Sequence, residues 1–293
     1  MIYYYGVSLP GTYHAKHGIL CQDAHKILPC GKYMAVAAVA DGLGSAEYSD
    51  IGSKIAVKEA VEYCQKKLIA KATDDQVKEI IRLAFHTAQR AIENEAKTKD
   101  HLIEQYDTTL TLAVLIRDTL YYGHSGDSGM IALTTHGRYE AVTQQHRDEE
   151  DRVFPLFFTD KWEFGRFSEN VSAVMLATDG MLETFFPIYI RNKKENIHVS
   201  WAQYFMDNRG LKIDKLGREK VQAGMMDFIE KIPAEKVNDD KTITVLVNTS
   251  VKINWKRQPK EYYQEPDWEE LKRKHDEAWR RQAYPELYKV WRD

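Results

Sequence analysis

Residues 34–45 read MAVAAVADGLGS, an unbroken run of small and β-branched apolar residues that ends at an aspartate and two glycines. The run Met34–Ala40 is too short, and too closely followed by glycine, to favour a helix, so it predicts a fully buried strand. Asp41 then follows the strand, where Gly42 and Gly44 allow a sharp turn because glycine has no Cβ. A carboxylate beside exposed backbone carbonyls suits a hard cation such as Mg²⁺ or Mn²⁺. The alternative is that Asp-Gly is only a turn dipeptide.

Length and composition limit the classes of protein to consider. The chain has 293 residues, enough for one large domain or two small ones, and its formal net charge of −3 predicts neither a nucleic-acid nor a membrane partner. Cys21, Cys30 and Cys64 lack Cys-x-x-Cys spacing, which is typical of reduced thiols. The opening MIYYYGVSLPG lacks the pattern of a secretory signal, and no apolar run approaches bilayer length. We therefore expect a cytoplasmic protein.

Further aspartates lie at predicted strand ends in the same way. Asp127 lies in the turn GDSG, Asp179 follows the apolar run 172–178, and Asp239 or Asp240 precedes the last strand. Each could be ordinary turn composition if it stood alone. If these strand ends meet in one cleft, however, the carboxylates repel one another by on the order of several kcal/mol unless cations neutralise them. Bound divalent metal resolves this repulsion, and it can activate water and clamp a phosphoryl oxygen.

The remaining pattern alternates strands with helices. Apolar residues at helical spacing predict a helix over 51–68, with Ser49 or Asp50 as its N-cap. A second helix is predicted from a cap near Thr73 or Asp74 to Ile92. Residues 97–106 are expected to be a loop. The four strands between 109 and 143 predict an antiparallel meander, and 147–170 is typical of an irregular lid or binding loop. Strands are predicted at Ile2–Ser8, Ala24–Leu28, Met34–Ala40, Thr109–Ile116, Leu120–Gly126, Ser128–Thr134, Arg138–Thr143, Ser172–Thr178 and Thr242–Val247.

The motifs, taken in order, resemble those of the metal-dependent serine/threonine protein phosphatases, the PPM or type 2C family, in its bacterial form. The resemblance covers residues 1–249, which we expect to be the catalytic domain. It implies an α+β fold, a four-layer αββα sandwich of two antiparallel sheets flanked by helices. The motifs that carry it are CQDA at 21–24, VADGLGS at 39–45, GDS at 126–128, TQQH at 143–146, TDG at 178–180 and DDKT at 239–242.

The resemblance also implies an activity and a set of ligands. The activity is hydrolysis of phosphoserine and phosphothreonine by a metal-activated water, with phosphorylated proteins as partners and a serine/threonine kinase in opposition. Two Mn²⁺ or Mg²⁺ ions are implied, with room for a third. In this resemblance Asp41 bridges the two ions and Gly42 contributes its carbonyl. Asp179 and Asp239 complete the first ion, with Asp240 as the alternative to Asp239, and Asp23 acts through water near the second ion. Asp127 and Asp179 form a third, weaker site.

Three positions depart from the family pattern. Gly18 stands where the phosphate-binding arginine is usual, Gln22 stands where many members have glutamate, and Glu183 replaces an aspartate. Because the arginine is missing, we add Lys16 to Asp41 and Asp179 as a candidate catalytic residue that would hold the substrate phosphate. The alternatives are that phosphate is held by His14, His17, Arg152 or Lys161, or by the metals alone. These departures leave open a second function, a catalytically weak module that binds phosphoproteins or partners in a regulatory role.

The segment 250–293 changes character. It holds Trp255, Trp268, Trp279 and Trp291, four of the six tryptophans, among mixed charges. Helical spacing predicts a helix that begins after Pro266. This segment is expected either to pack against the catalytic domain or to dock a partner protein.

Overall fold

Two antiparallel five-stranded sheets form the centre of the protein, in a computed structural model that describes residues 1–190 and 196–289. The first sheet contains, in spatial order, β1 (Ile2–Leu9), β10 (Lys241–Asn248), β9 (Val171–Ala177), β6 (Gly129–Thr134) and β7 (Tyr139–Ala141). The second contains β2 (Ala24–Pro29), β3 (Met34–Ala40), β4 (Leu110–Ile116), β5 (Thr119–Ser125) and β8 (Glu163–Arg166). With helices outside both sheets, the predicted αββα sandwich is confirmed.

Strand β3 is buried on both of its faces, as its apolar run predicted. Ala35, Ala37 and Val39 pack in the core between the two sheets. The intervening side chains, such as Val36 and Ala38, face the helices that cover the second sheet. This alternation follows from the twofold side-chain period of a strand, and a strand covered on both faces has no place for a polar residue before Asp41.

Helices α2 (Ser49–Lys67) and α3 (Asp74–Lys99) cover the second sheet. Thr73 caps α3 through a capping box with Gln76, as predicted. The cap predicted for α2 is wrong, because Ser49 lies inside the helix and the N-cap residue is Tyr48, with no side-chain hydrogen bond. The loop predicted at 97–106 is also wrong in part, since α3 continues to Lys99 and a 3₁₀ helix follows at Ile103–Tyr106.

The first sheet is covered by shorter helices. The aromatic side chains Phe185 and Phe205 are fully buried there, and the Tyr5 hydroxyl donates to the Phe205 carbonyl at 2.8 Å. No helix in the described ranges has the length and apolar character needed to cross a membrane. The helices on this side are α4 (Asp179–Phe185), α5 (Val199–Met206), α6 (Asn208–Leu211), α7 (Ile213–Leu216) and α8 (Arg218–Glu230), while α1 (Thr12–His17) follows β1.

The predicted meander is wrong, because the GDSG turn crosses from one sheet to the other. β4 pairs with β5 in the second sheet, whereas β6 pairs with β7 and β9 in the first. Gly126 makes the crossing with a φ of 103°, and a Cβ at this glycine would lie 2.4 Å from Thr109. Only glycine fits both conditions, since other residues rarely adopt this φ. The turn therefore places Asp127 between the sheets rather than at a hairpin tip.

The C-terminal segment packs against the first sheet in its first half. The Tyr139 N–H donates to the Tyr262 hydroxyl at 2.8 Å, and the Trp255 ring lies 3.4 Å from the guanidinium carbon of Arg209. The predicted helix after Pro266 is α9 (Trp268–Ala283), followed by α10 (Pro285–Lys289), and Trp291 lies outside the described residues. The division of the chain at residue 249 stays a prediction.

Candidate metal centre

Three carboxylates from separate parts of the sequence meet at one end of the sandwich. Asp41 follows β3, Asp127 lies in the crossing from β5 to β6, and Asp179 is the first residue of α4 after β9. One carboxylate oxygen from each of them lies within 4.8 Å of the other two. The cluster therefore joins the two sheets, as expected if the ends of these buried strands share one cleft.

The backbone of Asp41 is fixed by two threonines at the start of β4. Its N–H donates to Thr109 Oγ1 at 2.9 Å, and its carbonyl accepts from Thr108 Oγ1 at 2.7 Å. The next residue, Gly42, has no space for a side chain, since a Cβ would lie 2.7 Å from the carbonyl oxygens of Gln22 and Ser49. The chain thus holds the backbone of Asp41 and Gly42 in a set position beside the other carboxylates.

Crowding of the carboxylates changes how readily they ionise. Burial, followed by repulsion from Asp23, Asp179 and Asp127, raises the pKa of Asp41 well above its usual range, although this residue keeps partial contact with solvent. Burial and the charge of Asp179 raise the pKa of Asp127 to about 6. The cluster consequently favours protons or cations over three bare negative charges.

Asp23 is also buried, with 4% of its surface exposed. Its Oδ2 accepts from Thr178 Oγ1 at 2.7 Å, and burial is the main cause that raises its pKa. This hydrogen bond ties the residue before β2 to the residue before α4. Asp23 lies outside the cluster of three carboxylates but is close enough to raise the pKa of Asp41.

The donor set fits a hard divalent cation. Asp127 is 2% exposed, and its Oδ1 has no hydrogen-bond partner among the described residues. An uncompensated buried carboxylate oxygen calls for explanation, because leaving it without a partner is unfavourable by on the order of 1–3 kcal/mol. The cluster offers oxygen ligands alone, which is the chemistry that Mg²⁺ and Mn²⁺ prefer.

The two neighbouring aspartates before β10 have different surroundings. Asp240 accepts from the Gly11 N–H and the Gln22 N–H, each at 2.6 Å, and from His14 Nδ1 at 2.8 Å. Asp239 accepts one hydrogen bond, from the Asp240 N–H at 2.8 Å, and its other carboxylate oxygen has no recorded partner in the part of the chain described. Loss of hydration beside the neighbouring groups is the main cause that raises the pKa of Asp239, although the residue remains exposed to solvent. Asp239 therefore has the freer carboxylate of the pair.

The sequence profile of the protein phosphatase 2C family matches residues 10–212. The chain belongs to the protein phosphatase 2C family. Among solved structures, the serine/threonine phosphatase Stp1 of Staphylococcus aureus aligns with a TM-score of 0.56 and 15% identity, covering 84% of this chain and 95% of that one. The serine/threonine phosphatase of S. agalactiae aligns with a TM-score of 0.56 and 13% identity, covering 84% and 99%.

A third solved structure with the same fold is PppA, described as a key regulatory component of the T6SS in Pseudomonas aeruginosa. Its TM-score is 0.54 at 17% identity, covering 84% of this chain and 97% of that one. At such identities the likeness shows the fold alone. No relative was found among curated protein sequences.

The position of the usual family arginine is occupied by a residue with a special backbone conformation. Gly18 ends α1 in the left-handed region, with a φ of 68°, and an arginine there would be strained. Lys16 is exposed on α1, and no ion pair in the described structure joins it to the carboxylates. His14 pairs with Asp240, while the His17 ring bonds the Tyr13 carbonyl at 2.8 Å. His14, Lys16 and His17 all lie on the short helix α1.

Gln22 and Glu183 also occupy defined places. The Gln22 side chain donates to Ser49 Oγ at 2.8 Å, and the backbone carbonyl of Gln22 accepts from Ser53 Oγ at 2.5 Å. This family position is therefore packed against the start of α2 as a neutral amide. Glu183 is exposed on α4.

Arg147 is the site residue that the sequence analysis missed. Its Nη2 lies 2.6 Å from Asp127 Oδ2 and 3.6 Å from Asp179 Oδ2. The two cations proposed from the same insertion have other partners, since Arg152 pairs with Asp148 and Lys161 approaches Asp160. The sequence feature that could have indicated Arg147 is its position directly after the TQQH motif.

The raised pKa values predict how the metal-free protein responds to pH. A carboxyl whose pKa is raised by folding contributes stability below its unfolded pKa and loses it as the pH rises through the folded value. For Asp127 this window runs from 3.8 to about 6, and Asp41 extends the loss to higher pH. With metal removed by chelator, the melting temperature should fall as the pH rises from about 4 to about 6, and it should continue to fall at higher pH because of Asp41.

Thermal unfolding at several pH values measures this effect. The fall should be smaller in Asp127→Asn, which carries no titratable carboxyl at that position. It should also be smaller with saturating Mn²⁺, because a cation bound to the native state stabilises the ionised carboxylates. If the melting temperature changes with pH by the same amount in Asp127→Asn and in the wild type, the prediction is contradicted.

Proposed function

We propose that this protein hydrolyses phosphoserine and phosphothreonine in proteins with two divalent cations, Mn²⁺ or Mg²⁺, as cofactors. The observation that supports this most is the meeting of Asp41, Asp127 and Asp179, with one buried oxygen of Asp127 left without a partner. Membership of the protein phosphatase 2C family supplies the reaction class.

The proposed ligands follow the family order of the aspartates. Asp41, the Gly42 carbonyl, Asp179 and Asp239 would hold cations, and Asp23 would act through water near the second cation. When bound, such ions would supply Lewis-acid activation of a water and neutralise charge on phosphoryl oxygens. The chain itself holds Asp41 by Thr108 and Thr109, and it needs no protein nucleophile. Asp240 is the weaker ligand candidate, since both of its oxygens accept protein hydrogen bonds.

The proposed setting is a kinase–phosphatase pair. The partners would be phosphorylated proteins and a serine/threonine kinase acting in opposition, and all three cysteines are free thiols, which suits a reducing compartment such as the cytoplasm. Residues 250–293 are a proposed docking element for a partner, since Leu271 alone among the described residues of α9 is buried.

Assay of p-nitrophenyl phosphate and of a phosphothreonine peptide, with Mn²⁺ and with chelator, tests the proposed activity. An active enzyme turns over both substrates only when the metal is present. The second candidate, a regulatory module that binds phosphoproteins, is favoured by Gly18 and by the neutral Gln22. That module would bind the peptide without metal-dependent turnover.

Lys16 remains the proposed substitute for the missing arginine. If it contacts the substrate phosphate, Lys16→Ala should raise KM for a phosphopeptide about tenfold, because one charge-assisted contact is lost, and leave Mn²⁺ affinity unchanged. Steady-state kinetics and a Mn²⁺ titration measure the two quantities. His14→Ala and His17→Ala are compared in parallel. An unchanged KM in Lys16→Ala would remove Lys16 from the substrate site.

A further inference from the structure

The guanidinium of Arg147 lies between two carboxylates of the candidate metal centre. Its Nη2 is 2.6 Å from Asp127 Oδ2 and 3.6 Å from Asp179 Oδ2. The side chain of Asp127 is 3% exposed and that of Arg147 24% exposed. Charge-assisted hydrogen bonds of this length are about twice as strong as neutral ones, so the contact is a substantial part of the electrostatics of the cluster.

The loop after the TQQH motif is built to hold Arg147 in this place. The His146 N–H donates to the Gly126 carbonyl at 2.7 Å, and Gln145 Nε2 donates to the Asp127 carbonyl at 2.9 Å. Arg147 itself forms a β-bridge with Val153. The two residues before the arginine are therefore tied to the same turn that presents Asp127, which lowers the entropy lost when the long side chain is ordered.

The two oxygens of Asp127 are treated differently by the protein. Oδ2 accepts from Arg147, whereas Oδ1 is buried with no partner in the described residues. A divalent ion that used Oδ2 of both Asp127 and Asp179 would need the space of the guanidinium and would meet a like charge. The guanidinium and such an ion therefore exclude one another, while Oδ1 stays available to a cation on its other side.

The other cations near the centre do not compete for this role. Lys16 and His17 are exposed on α1, and Arg152 pairs with Asp148 and Glu150 within its own loop. Over residues 1–190 and 196–289, Arg147 is the cation with recorded ion pairs to both Asp127 and Asp179.

We propose that the Arg147 guanidinium takes the place of a third divalent cation between Asp127 and Asp179, so that the carboxylate centre binds two ions instead of three. The inference rests on the metal use proposed above. It assigns Arg147 as a positioning residue and an internal counter-charge, which the family pattern of aspartates does not include.

A Mn²⁺ titration by isothermal calorimetry, with metal content checked after dialysis, tests this assignment without any assay of activity. The wild type should bind two ions. Arg147→Gln, which removes the charge and keeps a polar side chain, should bind a third ion, so that the measured stoichiometry rises from two to three. Arg152→Gln is the matched control, because it removes a guanidinium from the same loop without touching Asp127, and it should behave as the wild type.

Two further variants place the extra ion. Asp127→Asn combined with Arg147→Gln should not gain the third ion. Arg147→Lys, which keeps the charge and serves if Arg147→Gln does not fold, should not gain a strong third site. If Arg147→Gln and the wild type both bind two ions, or if the wild type binds three, the assignment of Arg147 is overturned. The proposed metal use is not affected by either result. No Mn²⁺ binding by the wild type would overturn this inference and the proposed metal use together.

Discussion

Asp41→Ala should reduce metal-dependent turnover of a phosphopeptide by at least about a hundredfold. Asp41 contributes one of three carboxylate oxygens that lie within 4.8 Å of one another, and two threonines hold its backbone in place. A residue proposed to bridge two cations supports more than one interaction at the reacting phosphate. Its removal should therefore lower turnover more than the loss of a single contact.

The same substitution should not destabilise the metal-free fold. Burial and neighbouring carboxylates raise the pKa of Asp41, so its ionised form is unfavourable at neutral pH without a cation. Asp41→Ala should then melt in chelator at or above the wild-type temperature while activity is lost. Asp50→Ala is the control, because Asp50 pairs with Lys54 on the surface of α2. Activity of Asp41→Ala within a few-fold of the wild type would contradict the bridging role.

The sequence is most informative where local pattern and tertiary environment agree. The strand β3 has the predicted limits, because seven consecutive apolar residues followed by Asp-Gly permit little besides a strand buried on both faces. The order of six short motifs then led to the αββα sandwich through resemblance to a family. Periodicity alone did not decide how the strands are divided between two sheets.

The errors arise where distant contacts decide the outcome. GDSG has hairpin composition, yet β5 pairs with β4 and β8 while β6 pairs with β7 and β9, so the turn crosses between sheets. The edge strand β8 has four residues and no sustained alternation, and its pairing with β5 gives it its structure. Arg147 reaches the carboxylates because a loop folds back onto Gly126, a contact that no local spacing encodes.

The choice between Asp239 and Asp240 shows the same limit at the scale of one residue. Sequence spacing favoured Asp239 through resemblance and left Asp240 as the alternative. The two side chains differ because the turn before β10 directs them to different neighbours. Asp240 joins the loop after β1 to the residue before Asp23, and Asp239 keeps a carboxylate oxygen free of recorded contacts in the described structure.

Asp240→Ala should lower the free energy of unfolding of the metal-free protein by at least about 3 kcal/mol. The substitution removes an acceptor, 3% exposed, that binds two backbone N–H groups and His14, and it leaves both N–H groups without that partner. Urea unfolding in chelator measures the change. Asp240→Asn should fall between Ala and the wild type, since the amide retains one acceptor oxygen.

Asp239→Ala should have the opposite profile, because Asp239 is exposed and its side chain makes one local hydrogen bond. Its stability in chelator should stay within about 1 kcal/mol of the wild type, while Mn²⁺ affinity falls at least about tenfold as one proposed ligand is lost. Urea unfolding in chelator and a Mn²⁺ titration separate the two roles, since a structural carboxylate changes the first quantity and a ligand changes the second. If Asp240→Ala weakens Mn²⁺ binding with stability intact, the roles of the two aspartates are reversed.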